Sequence, residues 1–330
     1  MTRGQRRLSA VATAAIVVGL SAACGGTNTT TPAGEGTASA STGAGAELAG
    51  QVKVDGSSTV APLTSAAAEF FAEEQAKVNV TVGTSGTGGG FEKFCNGETD
   101  ISDASRPIKD EEKAACDAKS IKYTELTVAT DALTVVVNKE NTWATCLTVD
   151  QLKKMWEPGA EKKITSWNQI DPKFPNEPLK LFGPGTDSGT FDYFTDEING
   201  EEGASRKDYS PSEDDNVTVQ GVEGSKGGLG YFGYTYFEEN AAKLKAVEVD
   251  GGDGCVAPSV ETAQNGTYKP LARPLFIYPS TAAVKRPEVA AFLDYYVANI
   301  NKIATDAKFI PLNTEQESKL KADLSTLKSS

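Results

Sequence analysis

The first part of the folded chain alternates short apolar runs with segments of helical spacing. Strand-like runs lie at 51–54, 78–82 and 100–102, and each ends in a turn rich in Ser, Thr or Gly before the next helix begins. The helix after the first run has an apolar face made of Leu63, Ala67, Phe70 and Phe71. This repeated order predicts a parallel α/β lobe whose strands end at one common edge.

The remaining pattern predicts a second lobe and a return to the first. Residues 126–138 are apolar enough for one or two buried strands, which we expect to cross between lobes at 131–133. A strand at 275–278 would carry the chain back, so two crossings form a hinge that allows closure around a ligand. Helical spacing marks three further apolar sets: Phe191, Phe194 and Ile198; Val289, Phe292, Leu293, Tyr296, Val297 and Ile300; and Leu320, Leu324 and Leu327.

Two other stretches of the middle region have a distinct character. Residues 208–216 are acidic and are predicted to be solvated, whereas 227–234 indicates a turn that leads into an aromatic strand. Residues 182–191, Phe-Gly-Pro-Gly-Thr-Asp-Ser-Gly-Thr-Phe, indicate a strand, a tight turn and a helix start. We therefore expect this turn to bring backbone amides and hydroxyls close to a ligand.

The N-terminal residues are predicted to lie outside both lobes. Arginines and then an apolar run precede Ser21-Ala22-Ala23-Cys24, which is typical of a secretory signal over 1–23. The small residues before Cys24 resemble the lipobox of bacterial lipoproteins, so Cys24 is the predicted lipidation site. Residues 24–46 are rich in Gly, Ser, Thr and Ala and are predicted to form a flexible tether.

From these patterns we expect the following domain assignment. Lobe 1 is discontinuous and comprises 47–131 and 277–330, and lobe 2 comprises 132–276. The predicted fold class is α/β, with two α/β lobes joined by a two-crossing hinge.

Charge and composition exclude several functions. The chain has 32 basic and 45 acidic residues, and removal of Arg3, Arg6 and Arg7 with the signal would leave 29 against 45, a net charge near −16. No basic footprint for nucleic acid is present. Because the chain has no histidine, Ser-His-Asp hydrolysis and histidine metal sites are excluded. We expect no cofactor and no metal.

The cysteines predict an exported protein with two disulfides. Beyond Cys24 the chain has Cys95, Cys116, Cys146 and Cys255, at spacings that match no zinc motif. Of the three possible pairings we favour Cys95–Cys116 and Cys146–Cys255, because each bridge then stays within one lobe. Sequence alone does not decide among the three.

Four turns that follow predicted strands share one chemistry. Their hydroxyls, glycine amides and one guanidinium are donors that together could enclose a small tetrahedral oxyanion. The alternative is that Ser, Thr, Gly and Asp are the usual residues of turns and helix caps, and that Arg106 is a surface residue. The turns are Ser57-Ser58-Thr59, Thr84-Ser85-Gly86-Thr87, Asp103-Ala104-Ser105-Arg106 and Asp187-Ser188-Gly189-Thr190.

These turns, in this order and spacing, resemble the periplasmic phosphate-binding proteins of the ABC-type phosphate-specific transporter. The likeness extends from about residue 50 to 315 and includes Asp55 to Leu63, Thr84 to Gly89, Asp100 to Pro107 and Gly183 to Phe194. It implies a type II periplasmic-binding-protein fold, inorganic phosphate in the cleft, and delivery to membrane permease subunits. By position it implies these phosphate donors: Ser58, Thr59, Ser85, Ser105, Ser188, Gly189 and Thr190.

The sequence departs from the family in its charged groups. Many members have an arginine before the Ser-Gly-Thr turn and an aspartate in the third loop, where this chain has Pro184 and Ser105. The nearest replacements are Arg106 and either Asp103 or Asp187. With Ser57 from the first turn, these complete the predicted site.

The resulting prediction is an extracytoplasmic monomer, lipid-anchored to the cell membrane, that binds phosphate and hands it to a transporter without chemistry. One alternative is a secreted phosphatase that uses a cleft serine such as Ser188. Another is a surface sensor or adhesin that binds no small ion.

Overall fold

A computed structural model describes residues 48–330. The predicted signal peptide, the lipidation site Cys24 and the tether therefore lie outside the described residues. Within 48–330, no helix combines the length and the apolar character needed to span a bilayer.

Strands and helices alternate along most of the chain, as the apolar pattern predicts. The strands are β1 (Gly50–Gly56), β2 (Val78–Gly83), β3 (Ile101–Ala104), β4 (Leu126–Asn138), β5 (Cys146–Thr148), β6 (Lys180–Gly183), β7 (Ser210–Pro211), β8 (Gly228–Gly233), β9 (Leu244–Ala246), β10 (Glu248–Asp250), β11 (Cys255–Val256) and β12 (Ala272–Pro279). The helices are α1 (Ala61–Glu74), α2 (Gly86–Cys95), α3 (Asp110–Ala118), α4 (Val149–Trp156), α5 (Gly189–Phe194), α6 (Asp215–Glu223), α7 (Tyr234–Asn240), α8 (Val260–Gln264), α9 (Pro287–Ala298), α10 (Ile300–Asp306) and α11 (Thr314–Ser329).

One mixed sheet runs through both lobes. Its strand order is β2-β1-β3-β12-β4-β8-β6-β7, and β9 pairs with β4. Strands β1, β2 and β3 are parallel, whereas β12 is antiparallel to both β3 and β4. The long strand β4 and its neighbour β12 pass side by side from one lobe to the other. They are the two crossings of the hinge.

Each lobe has its own hydrophobic core. In lobe 1, apolar residues of β1 and α1 pack against α9 and α11, with Phe71 and Phe292 in edge-to-face contact at 5.6 Å. In lobe 2, Trp156 packs edge-to-face on Tyr231, and Phe194 stacks on the same tyrosine at 3.8 Å. A separate small sheet of lobe 2 has the order β11-β10-β5. The lobes are thus packed independently around a shared sheet.

Both favoured disulfides are confirmed. Cys95 at the end of α2 pairs with Cys116 in α3, and Cys146 in β5 pairs with Cys255 in β11. The second bridge joins residues 109 positions apart and fastens the small sheet of lobe 2.

Element boundaries differ from the predictions in lobe 2. The aromatic strand ends at Gly233, and Tyr234 opens α7 rather than continuing the strand, because aromatic residues alone give no helical spacing. The helix that buries Phe191 and Phe194 continues as a π-helix over Thr195–Asn199. Residues 208–216 are mostly exposed, as predicted, but α6 begins within them at Asp215.

Candidate ligand-binding cleft

A cleft of about 530 Å³ lies between the lobes, where the predicted turns converge. Lobe 1 contributes the turns that follow β1, β2 and β3, lobe 2 contributes α5 and the segment after it, and the hinge strand β12 contributes Arg273. The lobe 1 residues are Ser57, Ser58, Thr59, Ser85, Gly86, Thr87, Gly88, Ser105, Arg106 and Lys109. The lobe 2 residues are Gly189, Asp192, Tyr193, Asp196, Glu197 and Glu202.

The first turn packs closely against the backbone of Asp103 in the third turn. Gly56 has φ +146°, and a Cβ atom there would lie 2.1 Å from the carbonyl oxygen of Asp103, so this position requires glycine. The buried Ser57 donates its N–H to the same oxygen and accepts the Thr59 N–H on its hydroxyl, at 3.2 Å. The Ser58 hydroxyl has no hydrogen-bond partner within residues 48–330 and is exposed to the cleft.

The second turn is tied to the first strand by Asp55. Ser85 donates its N–H and its hydroxyl to Asp55 Oδ1 at 3.0 and 2.6 Å, and Lys93 donates to Oδ2 at 2.6 Å. Burial would raise the pKa of Asp55, but the bonds from Lys93 and Ser85 outweigh it and hold that pKa below its usual value. Asp55 therefore positions the turn from behind as a carboxylate, and Ser85 lines the cleft with its proton directed to Asp55.

The third turn pairs one hydroxyl with the second turn, and its arginine is already hydrogen-bonded. The hydroxyls of Thr87 and Ser105 lie 3.1 Å apart, and Ser105 also donates its N–H to Thr87. The Arg106 guanidinium lines the cleft but donates to both oxygens of Glu112, at 2.9 and 2.7 Å. Hydrogen bonding to Glu112 raises the pKa of Arg106. Its fork of donors is thus committed within lobe 1.

The fourth turn places one of its predicted residues on the cleft. Gly189 lines it, while Ser188 caps α5 by accepting the Thr190 N–H at 3.2 Å. Neither Ser188 nor Thr190 is among the lining residues, and Asp187 is exposed outside the cleft. In this turn Ser188 acts as a helix cap, as the alternative explanation of the motif expects.

Asp103, a predicted proton acceptor, lies in the interior of lobe 1 and does not line the cleft. It is fully buried, and its Oδ1 accepts the Thr64 hydroxyl at 3.0 Å, while Oδ2 has no partner within the described residues. Burial raises the pKa of Asp103 to about 8. The carboxyl is therefore held as a neutral acid beneath the first turn.

The carboxylates that do face the cleft all come from lobe 2. Asp192 of α5 is half-buried, and burial with the nearby Glu202 raises its pKa against the opposing charge of Arg273. Asp196, Glu197 and Glu202 continue this acidic side. The recognised sequence motif does not include these residues, because they follow it on the turns of a helix.

Arg273 was also missed. Its Nη2 donates to the Thr59 hydroxyl at 3.1 Å, its Nε lies 3.4 Å from Asp131 Oδ2, and its guanidinium lies 3.5 Å from the centre of the Tyr193 ring. Arg273 and Asp131 are direct partners in the β4–β12 ladder. The available signal was Asp131 in one predicted crossing and Arg273 just before the predicted strand at 275–278.

The chain is similar to known proteins over most of its length. A model of the PBP superfamily domain matches residues 37–299. Protein SphX of Synechococcus elongatus is 53% identical over 262 residues, which cover 79% of this chain and 77% of that protein. The phosphate-binding protein PstS of Staphylococcus saprophyticus is 43% identical over 277 residues, covering 82% and 84%.

A solved structure shares both fold and sequence with the chain. The crystal structure of a possible phosphate binding protein from Planctomyces limnophilus DSM 3776 has a TM-score of 0.81 at 45% identity, covering 85% of this chain and 99% of that one. The predicted type II two-lobe α/β fold is thereby confirmed. The chain belongs to the PBP superfamily of periplasmic binding proteins and, within it, to the family of the phosphate-binding proteins PstS.

Proposed function

We propose that this protein is an extracytoplasmic solute-binding protein that holds inorganic phosphate between its lobes and delivers it to the permease of an ABC importer. The observation that carries the proposal is the convergence of hydroxyl and amide donors from both lobes on one cleft that also contains a guanidinium. The names of the PstS relatives support the choice of phosphate. The protein performs no chemistry on its ligand.

Ser58 and Thr59 are the best-placed hydroxyl donors. The Ser58 hydroxyl has no partner among residues 48–330, and Thr59 accepts a bond from Arg273 and so keeps its own proton for an anion. We include the predicted donors Ser57, Ser105 and Gly189, which line the cleft, in the same proposal. Ser85 donates to Asp55, and Ser188 and Thr190 form the helix cap outside the lining, so these three predicted donors are left out. Asp192 is the carboxylate that accepts a hydrogen of the phosphate, because it faces the cleft beside Arg273.

The anchoring part of the proposal rests on the N-terminal sequence. A signal over 1–23, acylation of Cys24 and a tether over 24–46 would keep a monomeric binding domain at the membrane, within reach of the permease. Separate hydrophobic cores support lobes that comprise 47–131 with 277–330, and 132–276. Replacing Cys24 by serine should release the protein from the membrane fraction into the medium, and retention of the variant would argue against the anchor.

Calorimetric titration of the purified protein tests the binding function. We expect tight binding of phosphate and arsenate and much weaker binding of sulfate, with no hydrolysis of a generic phosphomonoester above background. Absence of phosphate binding would contradict the proposal. Hydrolysis that is lost in Ser188→Ala would instead favour the phosphatase alternative.

A further inference from the structure

Among residues 48–330, three cationic side chains line the cleft, and they differ in how much of their hydrogen-bonding capacity is already used. Arg106 is bound at both terminal nitrogens by Glu112. Lys109 is exposed at the start of α3. Arg273 lies between the lobes with 18% of its side chain exposed, so its charge is the least screened by water.

Arg273 is held in place by an ion pair that uses only one of its three nitrogens. Its one carboxylate contact, Nε to Asp131, is long at 3.4 Å, and the Tyr193 ring covers one face of the guanidinium at 3.5 Å. Nη2 bonds to the Thr59 hydroxyl, and Nη1 makes no hydrogen bond to any residue within 48–330. A fixed guanidinium with spare donors at the edge of a cleft is suited to an oxyanion.

We infer that Arg273, on the hinge strand β12, is the charged ligand of the bound phosphate, and that Asp131 and Tyr193 position it. This inference rests on the proposed function. It places the guanidinium on a crossing strand, whereas the family resemblance pointed to an arginine before the Ser-Gly-Thr turn, where this chain has Pro184.

The position on the hinge has a mechanical consequence. Arg273 contacts Thr59 of lobe 1, Tyr193 of lobe 2 and Asp131 of the other crossing strand. An anion bound to Arg273 is therefore linked to both lobes and to the strands between them. Binding then stabilises the closed arrangement through differential contacts, which is what couples a ligand to closure.

Calorimetry with phosphate on the parent, Arg273→Gln and Arg273→Lys tests the inference, with Arg106→Gln as the competing cleft arginine and Arg286→Gln, outside the cleft, as the matched control. Loss of a desolvated charge partner should weaken binding by about 30-fold or more in Arg273→Gln. Arg273→Lys should bind between the two, because an ammonium keeps the charge but loses the fork. Arg286→Gln should stay within about threefold of the parent, because its ion pair with Asp100 is on the surface, and Arg106→Gln should weaken binding less than Arg273→Gln does.

Asp131→Asn separates positioning from a general effect on folding. It should weaken phosphate binding less than Arg273→Gln does, and the double variant should be no weaker than Arg273→Gln, since both changes act through one group. Thermal unfolding without phosphate should keep the Arg273 variants close to the parent, while their stabilisation by phosphate is reduced.

The outcomes are distinguishable. If the parent binds phosphate and both Arg273 variants bind it equally well, the inference is overturned and the proposed function stands. Arg106→Gln as the most damaging change would overturn the inference in favour of the arginine predicted from the sequence. A parent that binds no phosphate would overturn the function and the inference together. Should Arg273→Gln not fold, Arg273→Lys and Asp131→Asn decide by the same criteria.

Discussion

Gly189 and Thr59 bring the two lobes into direct contact. A Cβ atom on Gly189 would lie 2.7 Å from Thr59 Oγ1 and 3.4 Å from Ser58 Oγ. The cleft is thus closed at this point, where the first turn of lobe 1 meets the start of α5. Glycine is required here by the approach of another lobe, rather than by an unusual backbone angle.

Gly189→Ala should oppose closure. The added methyl group would overpack the contact with Thr59, at a cost of about 1–3 kcal/mol to the closed form, while the open form has space for it. We expect weaker phosphate binding at nearly unchanged stability of the unliganded protein, measured by calorimetry and thermal unfolding. Gly233→Ala is the matched control, because its nearest atom would be 3.9 Å away. Equal affinity in both variants would show that the contact is not formed in the bound state.

Ser58→Ala should remove a free donor from the cleft. A hydrogen bond to a charged ligand contributes about 1.5–3 kcal/mol, so phosphate affinity should fall by about 10-fold to 150-fold. Ser212→Ala, a lobe 2 change outside this cleft, should have no effect. A Ser58→Ala protein that binds like the parent would place the anion away from the first turn.

Asp192→Asn should reduce discrimination between phosphate and sulfate. Near neutral pH phosphate keeps a hydrogen that a carboxylate can accept, whereas sulfate presents an unprotonated oxygen that the carboxylate repels. We expect the phosphate-to-sulfate affinity ratio to fall by about tenfold or more, since sites built for such a hydrogen reject analogues strongly. Titrations of Asp187→Asn and Asp103→Asn serve as controls. A collapse of the ratio in either control, with Asp192→Asn unchanged, would identify a different acceptor.

Asp103→Asn should alter the pH dependence of stability. The folded protein keeps the Asp103 proton up to about pH 8, while the unfolded chain releases it near its usual pKa of about 3.9. The raised pKa therefore contributes stability that is complete below about pH 4 and is lost as pH rises towards 8. Urea unfolding of parent and variant across this range should show the variant gaining by up to about 1.4 kcal/mol per pH unit. A difference that is independent of pH would contradict the buried neutral acid.

Local sequence patterns predicted the strands and turns of the cleft, because apolar period and turn chemistry are set by near neighbours. These patterns did not predict which side of a strand faces the ligand. Asp103 and Ser105 lie two residues apart at the end of β3, yet Asp103 lies in the interior and Ser105 on the cleft. The turn between strand and helix breaks the alternation that would have predicted their sides.

Arg273 could not be selected from local pattern at all. Its partner Asp131 is 142 residues away, and the two meet because β4 and β12 are neighbours in the sheet. The disulfides were easier, since assigning the cysteines to lobes already favoured one of the pairings. Predicting the Arg273–Asp131 pair would have required the register of β4 and β12, which the structure supplies.

The central claim is that one oxyanion binds between the Ser58–Thr59 turn, Gly189 and Arg273. Crystals of the protein grown with arsenate test it most directly, because anomalous scattering from arsenic locates the anion independently of any fitted coordinates. The account predicts one strong arsenic peak within hydrogen-bonding distance of the Ser58 hydroxyl and the Arg273 guanidinium, and its displacement by excess phosphate. A peak elsewhere on the protein, or an empty cleft at saturating arsenate, would contradict the account.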